Sequence, residues 1–327
     1  MMDRRLMLGA LAGAALVVGG PQAVIAQDKP ELTFSAVFSQ QDIRAEMMEM
    51  FKADVADIAS LQLYYGGNLF KQGTEITAIQ RGNLSMGNVA PQDIAKQIPA
   101  FSILTSAYLF RDAAHLKAFF ESDAGAEMKA MAEDQLGIHI LGPTYFGTRQ
   151  VGLRVDKEIK TPADMQGIKL RMPGGDAWQF LGSALGANPT PMAYAEVYTG
   201  LQTGAIDGQD NPYPNVENMK FYEVMSQIVR TSHLVAYDLL VISQQAWDAM
   251  SADQQQAFQA AADKAIAWST EQHLAQEDKL GALFESEGLK ISTPDVDAFR
   301  KHAQEMYLNS DLSKDWPEGM LDRINAL

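Results

Sequence analysis

The sequence has 327 residues, a formal net charge of −15 and no cysteine, and 47% of its residues are hydrophobic. This composition excludes disulfides, thiolate metal sites and a nucleophilic thiol, and it leaves no cysteine to carry a lipid anchor. The excess of acidic residues disfavours nucleic acid and anionic membrane surfaces as partners, because both are negatively charged.

The first 26 residues are predicted to be a cleaved signal peptide. Arg4 and Arg5 provide positive charge, an apolar stretch follows at 6–18, and small residues precede a cleavage point after about Ala26. The apolar stretch is too short and too rich in glycine to favour a membrane span. The paired arginines are also compatible with twin-arginine export. We therefore expect an exported protein without a direct membrane anchor, located in the periplasm if the source is Gram-negative.

The remaining chain, about 300 residues, exceeds what one hydrophobic core usually holds, so two domains are expected. In its first part, strands predicted at 32–38, 61–65 and 84–89 alternate with helices at 42–59 and 74–81. Such alternation, which continues through Leu141, predicts a mostly parallel, doubly wound sheet. Ligands bind such sheets beyond the carboxyl ends of the strands, so the loops after Phe38, Val89 and Leu141 are candidate walls of a site.

A second unit is predicted to begin at Phe146. Its strands are expected at 150–155, 168–172 and 205–208, and its helices at 176–185 and 194–203. The apolar strand at 234–243 is assigned back to the first domain. The predicted lobes are therefore 27–146 with about 234–270 for lobe I, and 147–233 with about 271–327 for lobe II.

One long helix is predicted between Ser251 and Glu287. Ser251 and Gln254 have the spacing of a capping box, and Gly288 is suited to the left-handed stop conformation. A stripe of small and apolar residues follows helical spacing: Phe258, Ala261, Ala262, Ala265, Ile266 and Ser269. An unbroken helix of about 36 residues would be roughly 54 Å long and would span both lobes. The alternative is two helices with a break near Gly281.

Two arginines and an asparagine in the second unit suggest that it binds an organic anion. Arg149 lies in FGTRQ, Arg171 in GIKLRMP and Asn211 in GQDNP. A guanidinium presents a planar fork of donors that matches a carboxylate through two parallel hydrogen bonds. Two other readings stay open at this point: a structural carboxylate such as Glu196 could hold Arg171, and Asn211 before Pro212 is also typical of a turn.

Taken together, the segments YFGTRQ, ADMQGIKLRMP, ANPTPMAYAEVYTGLQTGAIDGQDNP and KFYEV resemble the TRAP-type (tripartite ATP-independent periplasmic) solute receptors of the C4-dicarboxylate family, including sialate-binding members. The resemblance implies an α/β, two-lobed periplasmic-binding-protein-like fold with a long helix spanning both lobes. It also implies a receptor that binds a small organic acid, a carboxylate or a sulfonate, between the lobes. Such a receptor delivers its ligand to the membrane subunits of a TRAP transporter, and it has no catalytic residue and no cofactor.

The resemblance also implies roles for individual residues. Arg171 pairs bidentately with the ligand carboxylate, Arg149 supplies a second cationic contact, and Asn211 donates to the same carboxylate. Tyr194, in PTPMAY, forms a wall of the pocket. The remaining candidates for ligand contact are Trp178, Phe38, Gln92, Tyr213 and His233.

The chain departs from the sialate-binding pattern at several positions. Where those members carry an acid and an arginine, this chain has Ala90 and Asp93, and where they carry an asparagine it has Gly174. After the first strand it offers Val37 and Phe38 and no polar side chain. These differences predict a smaller or less hydroxylated acid than sialate, such as a sulfonate, a short sugar acid or a hydroxy acid.

Two other functions compete with this interpretation. A periplasmic enzyme acting on a sugar acid would need a general base, for which Tyr194, Asp210 and His233 are the nearby candidates. A receptor for an ATP-driven transporter or a sensor kinase would have the same ligand-binding requirements. No metal is predicted, since the acidic run 207–211 lacks calcium-loop spacing and the five histidines are scattered.

Overall fold

The computed structural model describes residues 29–327, apart from the side chain of Asp278, so the predicted signal peptide at 1–26 lies outside the described residues. Its strands are β1 (Glu31–Ser35), β2 (Ser60–Tyr64), β3 (Met86–Val89), β4 (Ile138–Leu153), β5 (Lys169–Met172), β6 (Asn188–Pro191), β7 (Gly208–Asn211), β8 (Gln227–Ser243) and β9 (Lys290–Ser292). Its α-helices are α1 (Ile43–Asp54), α2 (Glu75–Gln80), α3 (Pro91–Ala95), α4 (Ala113–Glu121), α5 (Asp123–Leu136), α6 (Asp176–Ala184), α7 (Val197–Thr203), α8 (Tyr213–Asn218), α9 (Gln244–Asp248), α10 (Ala252–Ser286), α11 (Val296–Leu308) and α12 (Met320–Asn325).

The strands of this part of the chain form one mixed sheet in the order β2-β1-β3-β8-β4-β7-β5-β6, with β9 beside the first residues of β8. Toward the two edges the neighbours are parallel, as the alternation of helices and strands predicts: β1 pairs in parallel with β2 and β3, and β5 with β6 and β7. At the centre, β8 runs antiparallel to β3 and β4, and β4 runs antiparallel to β7.

The two central strands, β4 and β8, are much longer than the sequence predicted. They pair from Ile138 opposite Ser243 to Leu153 opposite Gln227, so the expected interruption between 141 and 150 and the start at 234 are wrong. Glycine, proline and polar residues at 142–149 resemble a loop in sequence. In the structure, three register shifts absorb them, at Ile140/Gly142, Tyr145/Gly147 and Arg149/Val151, in the manner of β-bulges.

A second correction concerns β7, which runs over Gly208–Asn211 and not over 205–208. Its residues Gln209, Asp210 and Asn211 are polar and resemble a turn in sequence, yet all three are buried. Asn211 Nδ2 donates to Gln209 Oε1 over 2.6 Å, and Asp210 forms an ion pair with Arg149. Because these groups find partners inside the protein, a polar segment occupies the middle of a sheet.

The predicted long helix is confirmed as one unbroken element, α10, of 35 residues. Ser251 and Gln254 form the capping box, and Gly288 follows the helix with φ +93°. At 1.5 Å per residue the helix is about 52 Å long, so the two-helix alternative with a break near Gly281 is wrong. No helix within residues 29–327 is both long enough and apolar enough to cross a membrane.

Four hydrophobic clusters, two at each end of the sheet, give the molecule two lobes. Lobe I contains β1, β2, β3 and α1 to α5. Leu239 and Leu240 of β8 belong to two different clusters of this lobe, because successive strand residues face opposite sides of the sheet. Lobe II contains β5, β6, β7 and α6 to α8. Ile228 and Val229 of β8 likewise belong to two different clusters, one on each side of the sheet. The α12 residues Met320 and Ile324 pack in a lobe I cluster.

Helix α10 contributes to both lobes. Phe258 and its neighbouring alanines pack against α1 in lobe I, with the Phe258 ring 4.9 Å from the ring of Phe51. At the other end, Leu280 and Phe284 pack in a lobe II cluster with Phe221. The helix and the two central strands therefore connect the lobes.

We predict that Gly147, at the central register shift of β4, is required for stability. Its φ is +123°, and a Cβ there would lie 2.6 Å from Pro212 Cβ and 2.9 Å from Glu277 Oε1. A non-glycine residue in such a conformation costs about 1–3 kcal/mol before the steric clash is added. Gly147→Ala should therefore reduce the free energy of unfolding, measured by urea denaturation, more than a control does.

The matched control is Gly82→Ala. Gly82 also has a positive φ, +73°, but no atom of the described residues lies within 4 Å of its added Cβ. We expect the loss at Gly147 to exceed the loss at Gly82 by about 2 kcal/mol, as steric overpacking adds to backbone strain. Equal losses in the two variants would contradict the proposed tight packing around Gly147.

Candidate ligand-binding site

A small cavity lies between the two lobes, where the central strands meet the loops after β1, β3 and β5. Six of the nine sequence-predicted site residues line it: Phe38, Arg149, Arg171, Trp178, Tyr194 and Asn211. The lining also includes five residues that the sequence analysis did not single out: Arg44, Gln72, Phe146, Asn215 and Asp238. Two depressions on the surface of lobe I are larger, about 450 and 520 Å³, but no buried arginine lines either of them.

Arg171, on β5, is a buried arginine with only neutral hydrogen-bond partners. Arg171 is 1% exposed to solvent. Its Nε donates to Met192 O over 2.9 Å, and its Nη2 donates to Gln72 Oε1 over 3.0 Å. Within residues 29–327, no carboxylate lies within 4 Å of its guanidinium, so Glu196 is not its ion-pair partner. Burial lowers the pKa of Arg171 to about 10, although Asp210 acts in the opposite direction. The side chain is therefore still a cation at neutral pH.

Arg149, on β4, is a second buried cation but already has a carboxylate partner. Its Nη1 lies 3.1 Å from Asp210 Oδ2 and also donates to the backbone oxygen of Asp210 over 2.5 Å. Its guanidinium carbon lies 4.8 Å from the ring centre of Trp178, a cation–π distance. Trp178, from α6, thus forms a wall of the cavity and fixes the plane of Arg149.

Asp210 and His233 form a polar layer behind Arg149. His233 Nε2 lies 3.1 Å from Asp210 Oδ2, and His233 Nδ1 lies 2.8 Å from Thr231 Oγ1. Burial alone would raise the pKa of Asp210, but Arg149 and His233 outweigh it and leave the pKa lowered. Burial lowers the pKa of His233, although Asp210 acts in the opposite direction. A neutral histidine and an ionised aspartate thus hold Arg149 in place.

Several polar atoms at this site are buried without a hydrogen-bond partner among the described residues. They are the donors Arg149 Nε and Trp178 Nε1 and the acceptors Asp210 Oδ1 and Asn215 Oδ1. Buried polar groups are nearly always paired in native proteins, and leaving one unpaired costs free energy. Unpaired N–H groups close to the cation of Arg171 are what an anionic ligand would satisfy.

Tyr194 and Gln72 connect the two sides of the cleft. Gln72, in the lobe I loop before α2, accepts from Arg171 Nη2 and from the backbone N–H of Tyr194, both over 3.0 Å. The Tyr194 hydroxyl accepts from Asn215 Nδ2 over 2.9 Å, and its ring centre is 5.8 Å from the Arg171 guanidinium carbon. Burial raises the pKa of Tyr194 to about 12, which makes it a poor general base at neutral pH.

The cavity volume is about 40 Å³, close to the 30 Å³ or so that one water molecule occupies in the liquid. An organic acid is several times larger. The cavity must therefore enlarge to hold such a ligand, and Gln72 is the side chain that bridges the two lobes at Arg171. Separation of two lobes around a cleft is a hinge motion.

Three sequence-predicted residues are buried or packed elsewhere and do not line the cavity. Gln92 is buried in α3, two residues beyond the lining residue Ala90. Tyr213 begins α8, and its ring packs at 5.4 Å against the ring of Phe284 on α10. His233 lies in the layer behind Arg149.

Arg44, a buried arginine on α1, was not predicted from the sequence as a site residue. Its Nε and Nη2 donate to the two oxygens of Asp42 over 2.9 and 2.8 Å, and its Nη1 donates to Asp238 Oδ2 over 2.9 Å. Its guanidinium carbon lies 4.4 Å from the ring centre of Phe38 and 4.0 Å from that of Phe146. Helical spacing could have found it, because 44, 47, 48 and 51 lie on one buried face of the helix.

A buried histidine of α10 lies behind Asp42. His273 Nε2 is 3.9 Å from Asp42 Oδ1, and His273 Nδ1 donates to Ser269 O over 2.8 Å. Burial lowers the pKa of His273 to about 4, although Asp42 acts in the opposite direction. Burial alone would raise the pKa of Asp42, but Arg44 outweighs it and leaves the pKa lowered. Asp42 is thus ionised and His273 neutral at physiological pH.

Comparisons with known proteins show the family of this chain. The family model of bacterial extracellular solute-binding protein family 7 (DctP) matches residues 34–312. The sialic acid-binding periplasmic protein SiaP of Vibrio cholerae is 31% identical over 251 residues, which are 77% of this chain and 78% of that protein. The 2,3-diketo-L-gulonate-binding periplasmic protein YiaO of Escherichia coli K12 is 33% identical over 205 residues, which are 63% of this chain and 62% of that protein.

A solved structure is also similar. It is a TRAP periplasmic solute binding protein from Roseobacter denitrificans with bound 3-deoxy-D-manno-oct-2-ulosonic acid (KDO). The two chains are 45% identical, the TM-score is 0.90, and the match covers 91% of this chain and 99% of that one.

We predict that His273→Gln makes the free energy of unfolding less sensitive to acid. The folded-state pKa of about 4 lies below the ordinary value of 6.5, so the unfolded chain binds this proton first as the pH falls. His273 thus lowers the free energy of unfolding progressively below pH 6.5. Between pH 7.5 and pH 5 this loss amounts to roughly 2 kcal/mol. Urea unfolding of both proteins at the two pH values measures this difference.

The comparison between the two proteins isolates His273, because Asp238, His233 and the other titrating groups are present in both. An identical pH dependence in the wild-type protein and in His273→Gln would show that His273 is not held neutral in the folded state.

Proposed function

We propose that this chain, which belongs to the DctP family of bacterial extracellular solute-binding proteins (family 7), closes its two lobes on a sugar acid whose carboxylate is held by Arg171. The observation that carries the proposal is the environment of Arg171: a buried cation that lines the cleft and has only neutral hydrogen-bond partners. A buried charge is costly unless it is paired, and a ligand carboxylate would provide the pair.

The geometry of Arg171 determines how the carboxylate is held. Its Nε–H and one N–H of Nη2 are already donated to Met192 O and to Gln72 Oε1. The remaining N–H groups, on Nη1 and Nη2, form the end of the fork and can donate to both oxygens of a carboxylate in parallel bonds. The second N–H of Asn211 Nδ2 and the unpaired donors of Arg149 and Trp178 are the additional contacts.

Closure and binding are coupled in this proposal. The open form would expose Arg171 to water, whereas the closed form would complete its charge-assisted bonds inside a cleft that excludes solvent. A ligand shifts such an equilibrium only by the difference between its affinities for the two forms. Arg171 and the unpaired donors around it provide that difference.

A hydroxylated 2-oxo acid is the ligand class that we favour, and KDO is the first compound to test. The structure from Roseobacter denitrificans, 45% identical, was solved with KDO, and the names of SiaP and YiaO also describe sugar-acid binding. Departures from the sialate pattern predicted a smaller or less hydroxylated acid, and KDO agrees with the first of these alternatives because it is a smaller molecule than sialate. Arg44, Gln72 and Asp238 place polar groups on the lobe I wall that its hydroxyl groups would satisfy.

The cellular setting follows from the family. We propose that residues 1–26 direct export and are removed after about Ala26, by the general or the twin-arginine route, and that the receptor works in the periplasm. Its partners would be the membrane subunits of a TRAP transporter. A binding measurement with those subunits, purified and reconstituted, tests this assignment. Binding to them would distinguish a TRAP receptor from a receptor for an ATP-driven transporter or a sensor.

The proposal also assigns no catalytic role to the protein. Of the bases that an enzyme would use, Asp210 and His233 lie behind Arg149 and outside the cavity lining, and Tyr194 keeps its proton at neutral pH. Incubating KDO with the purified protein and following it by NMR tests this assignment. A new product at catalytic protein concentrations would support the enzyme alternative.

We predict that Arg171→Ala abolishes the thermal stabilisation that KDO produces, while the melting temperature without ligand stays nearly unchanged. Removing one partner of a buried, hydrogen-bonded charge pair costs about 3 kcal/mol or more, which corresponds to roughly a 100-fold loss of affinity. Calorimetric titration measures that loss, and a thermal-shift screen over sugar acids, hydroxy acids and sulfonates tests the ligand class.

Two further variants sharpen this test. Arg171→Lys should also bind weakly, because lysine keeps the charge but lacks the planar fork. Arg111→Ala removes an exposed arginine and should bind as the wild-type protein does. Affinity in Arg171→Lys within threefold of the wild-type value would count against bidentate recognition.

A further inference from the structure

The lobe I wall of the cleft presents a carboxylate to any ligand. Asp238, on β8, lines the cavity, and its Oδ2 accepts from Arg44 Nη1 over 2.9 Å and from Asn88 Nδ2 over 3.2 Å. Its other oxygen, Oδ1, accepts no hydrogen bond from the residues that the structure describes. A ligand hydroxyl could donate to that oxygen, whereas a ligand carboxylate has no proton to donate.

The charges around the cleft leave room for one anionic group. The layer closest to the cavity contains three arginines and three aspartates: Arg44, Arg149, Arg171, Asp42, Asp210 and Asp238. Arg44 is paired with Asp42 and Asp238, and Arg149 is paired with Asp210. Arg171 alone among these cations lacks a carboxylate within ion-pair distance in the described part of the chain. A second ligand carboxylate would therefore meet Asp238 with no unpaired cation beside it.

The position of Asp238 is fixed by its neighbours. Arg44, which binds it, is held between the rings of Phe38 and Phe146 at 4.4 and 4.0 Å and by two bonds to Asp42. Asn88, its other partner, is held in turn by Thr144, whose Oγ1 donates to Asn88 Oδ1 over 2.9 Å. Because these contacts are buried, neither charge can swing away from a poorly matched ligand.

We propose that Asp238 and Arg44 form the specificity-determining pair of this receptor, which accepts the hydroxyl groups of a monocarboxylate and rejects a second carboxylate. Asp238 Oδ1 accepts from a ligand hydroxyl, and the remaining N–H groups of Arg44 donate to hydroxyl oxygens. Like charges placed together in a closed site oppose binding, so discrimination against dicarboxylates is built into the wall. This inference rests on the proposed function, since it needs Arg171 to hold the first carboxylate.

The test compares monocarboxylates with dicarboxylates of the same carbon skeleton. D-Galactonate with galactarate, and D-erythronate with meso-tartrate, differ by the replacement of a terminal CH₂OH group with a carboxylate. Their affinities are measured by calorimetric displacement of KDO, which also reports weak ligands. We expect the wild-type protein to prefer the monocarboxylate of a pair by at least 30-fold.

The decisive variant is Asp238→Asn, which removes the charge and keeps the shape of the side chain. We expect it to reduce the preference for the monocarboxylate at least tenfold, mainly by strengthening dicarboxylate binding. Asp238→Ser, a second uncharged variant, serves if the first does not fold, as judged by circular dichroism and melting temperature. Asp315→Asn, which removes an exposed carboxylate on the surface, should leave the ratio unchanged and controls for net charge.

The outcomes separate this inference from the proposed function. If monocarboxylates bind and the ratio in Asp238→Asn stays within twofold of the wild-type ratio, the specificity role of Asp238 is overturned while the proposed function stands. If the wild-type protein prefers dicarboxylates, the inference is likewise overturned. If no sugar acid binds, KDO included, the proposed function fails and this inference fails with it.

Discussion

The ligand site depends on a buried guanidinium that has no carboxylate partner among the residues that the structure describes. Arg171 is almost fully buried, donates only to neutral oxygens and keeps its charge at neutral pH. Burying a charge without a counter-charge is costly, so the folded chain favours any closed arrangement in which an anion reaches that site. The other two cleft arginines are neutralised by aspartates of the same chain. Among the described residues, Arg171 is the cleft arginine left without a carboxylate partner, and the proposed function rests on that difference.

The rest of the fold positions this cation between the two lobes. Two long antiparallel strands and the 35-residue helix α10 join the lobes, while the loops at the sheet centre provide the lining. The register of the β4–β8 pairing shifts next to Phe146 and Arg149, at Tyr145/Gly147 and Arg149/Val151. Gln72 bridges the lobes at Arg171 and occupies donors on both Arg171 and Tyr194. An entering ligand must therefore act at the same side chain that closes the cleft.

The sequence predicted part of this architecture well. Capping residues and a small-residue stripe identified α10, and the motifs around Arg149, Arg171 and Asn211 identified part of the cavity wall. The continuity of β4 and β8 was missed, because glycine, proline and polar residues in mid-strand resemble loops unless buried partners satisfy them. Helical spacing places Arg44 on the buried face of α1, but its pairing with Asp238, 194 residues away in sequence, is visible only in the folded chain. Local patterns thus identified elements and motifs, whereas long-range polar pairing had to be observed.

The most direct test of the account is a crystal structure of the protein with KDO. The account predicts that both oxygens of the ligand carboxylate lie within hydrogen-bond distance, about 2.7–2.9 Å, of Nη1 and Nη2 of Arg171. It also predicts that the hydroxylated tail faces Arg44 and Asp238. A complex in which the carboxylate lies against another group, with Arg171 still bonded only to Met192 and Gln72, would contradict the central claim.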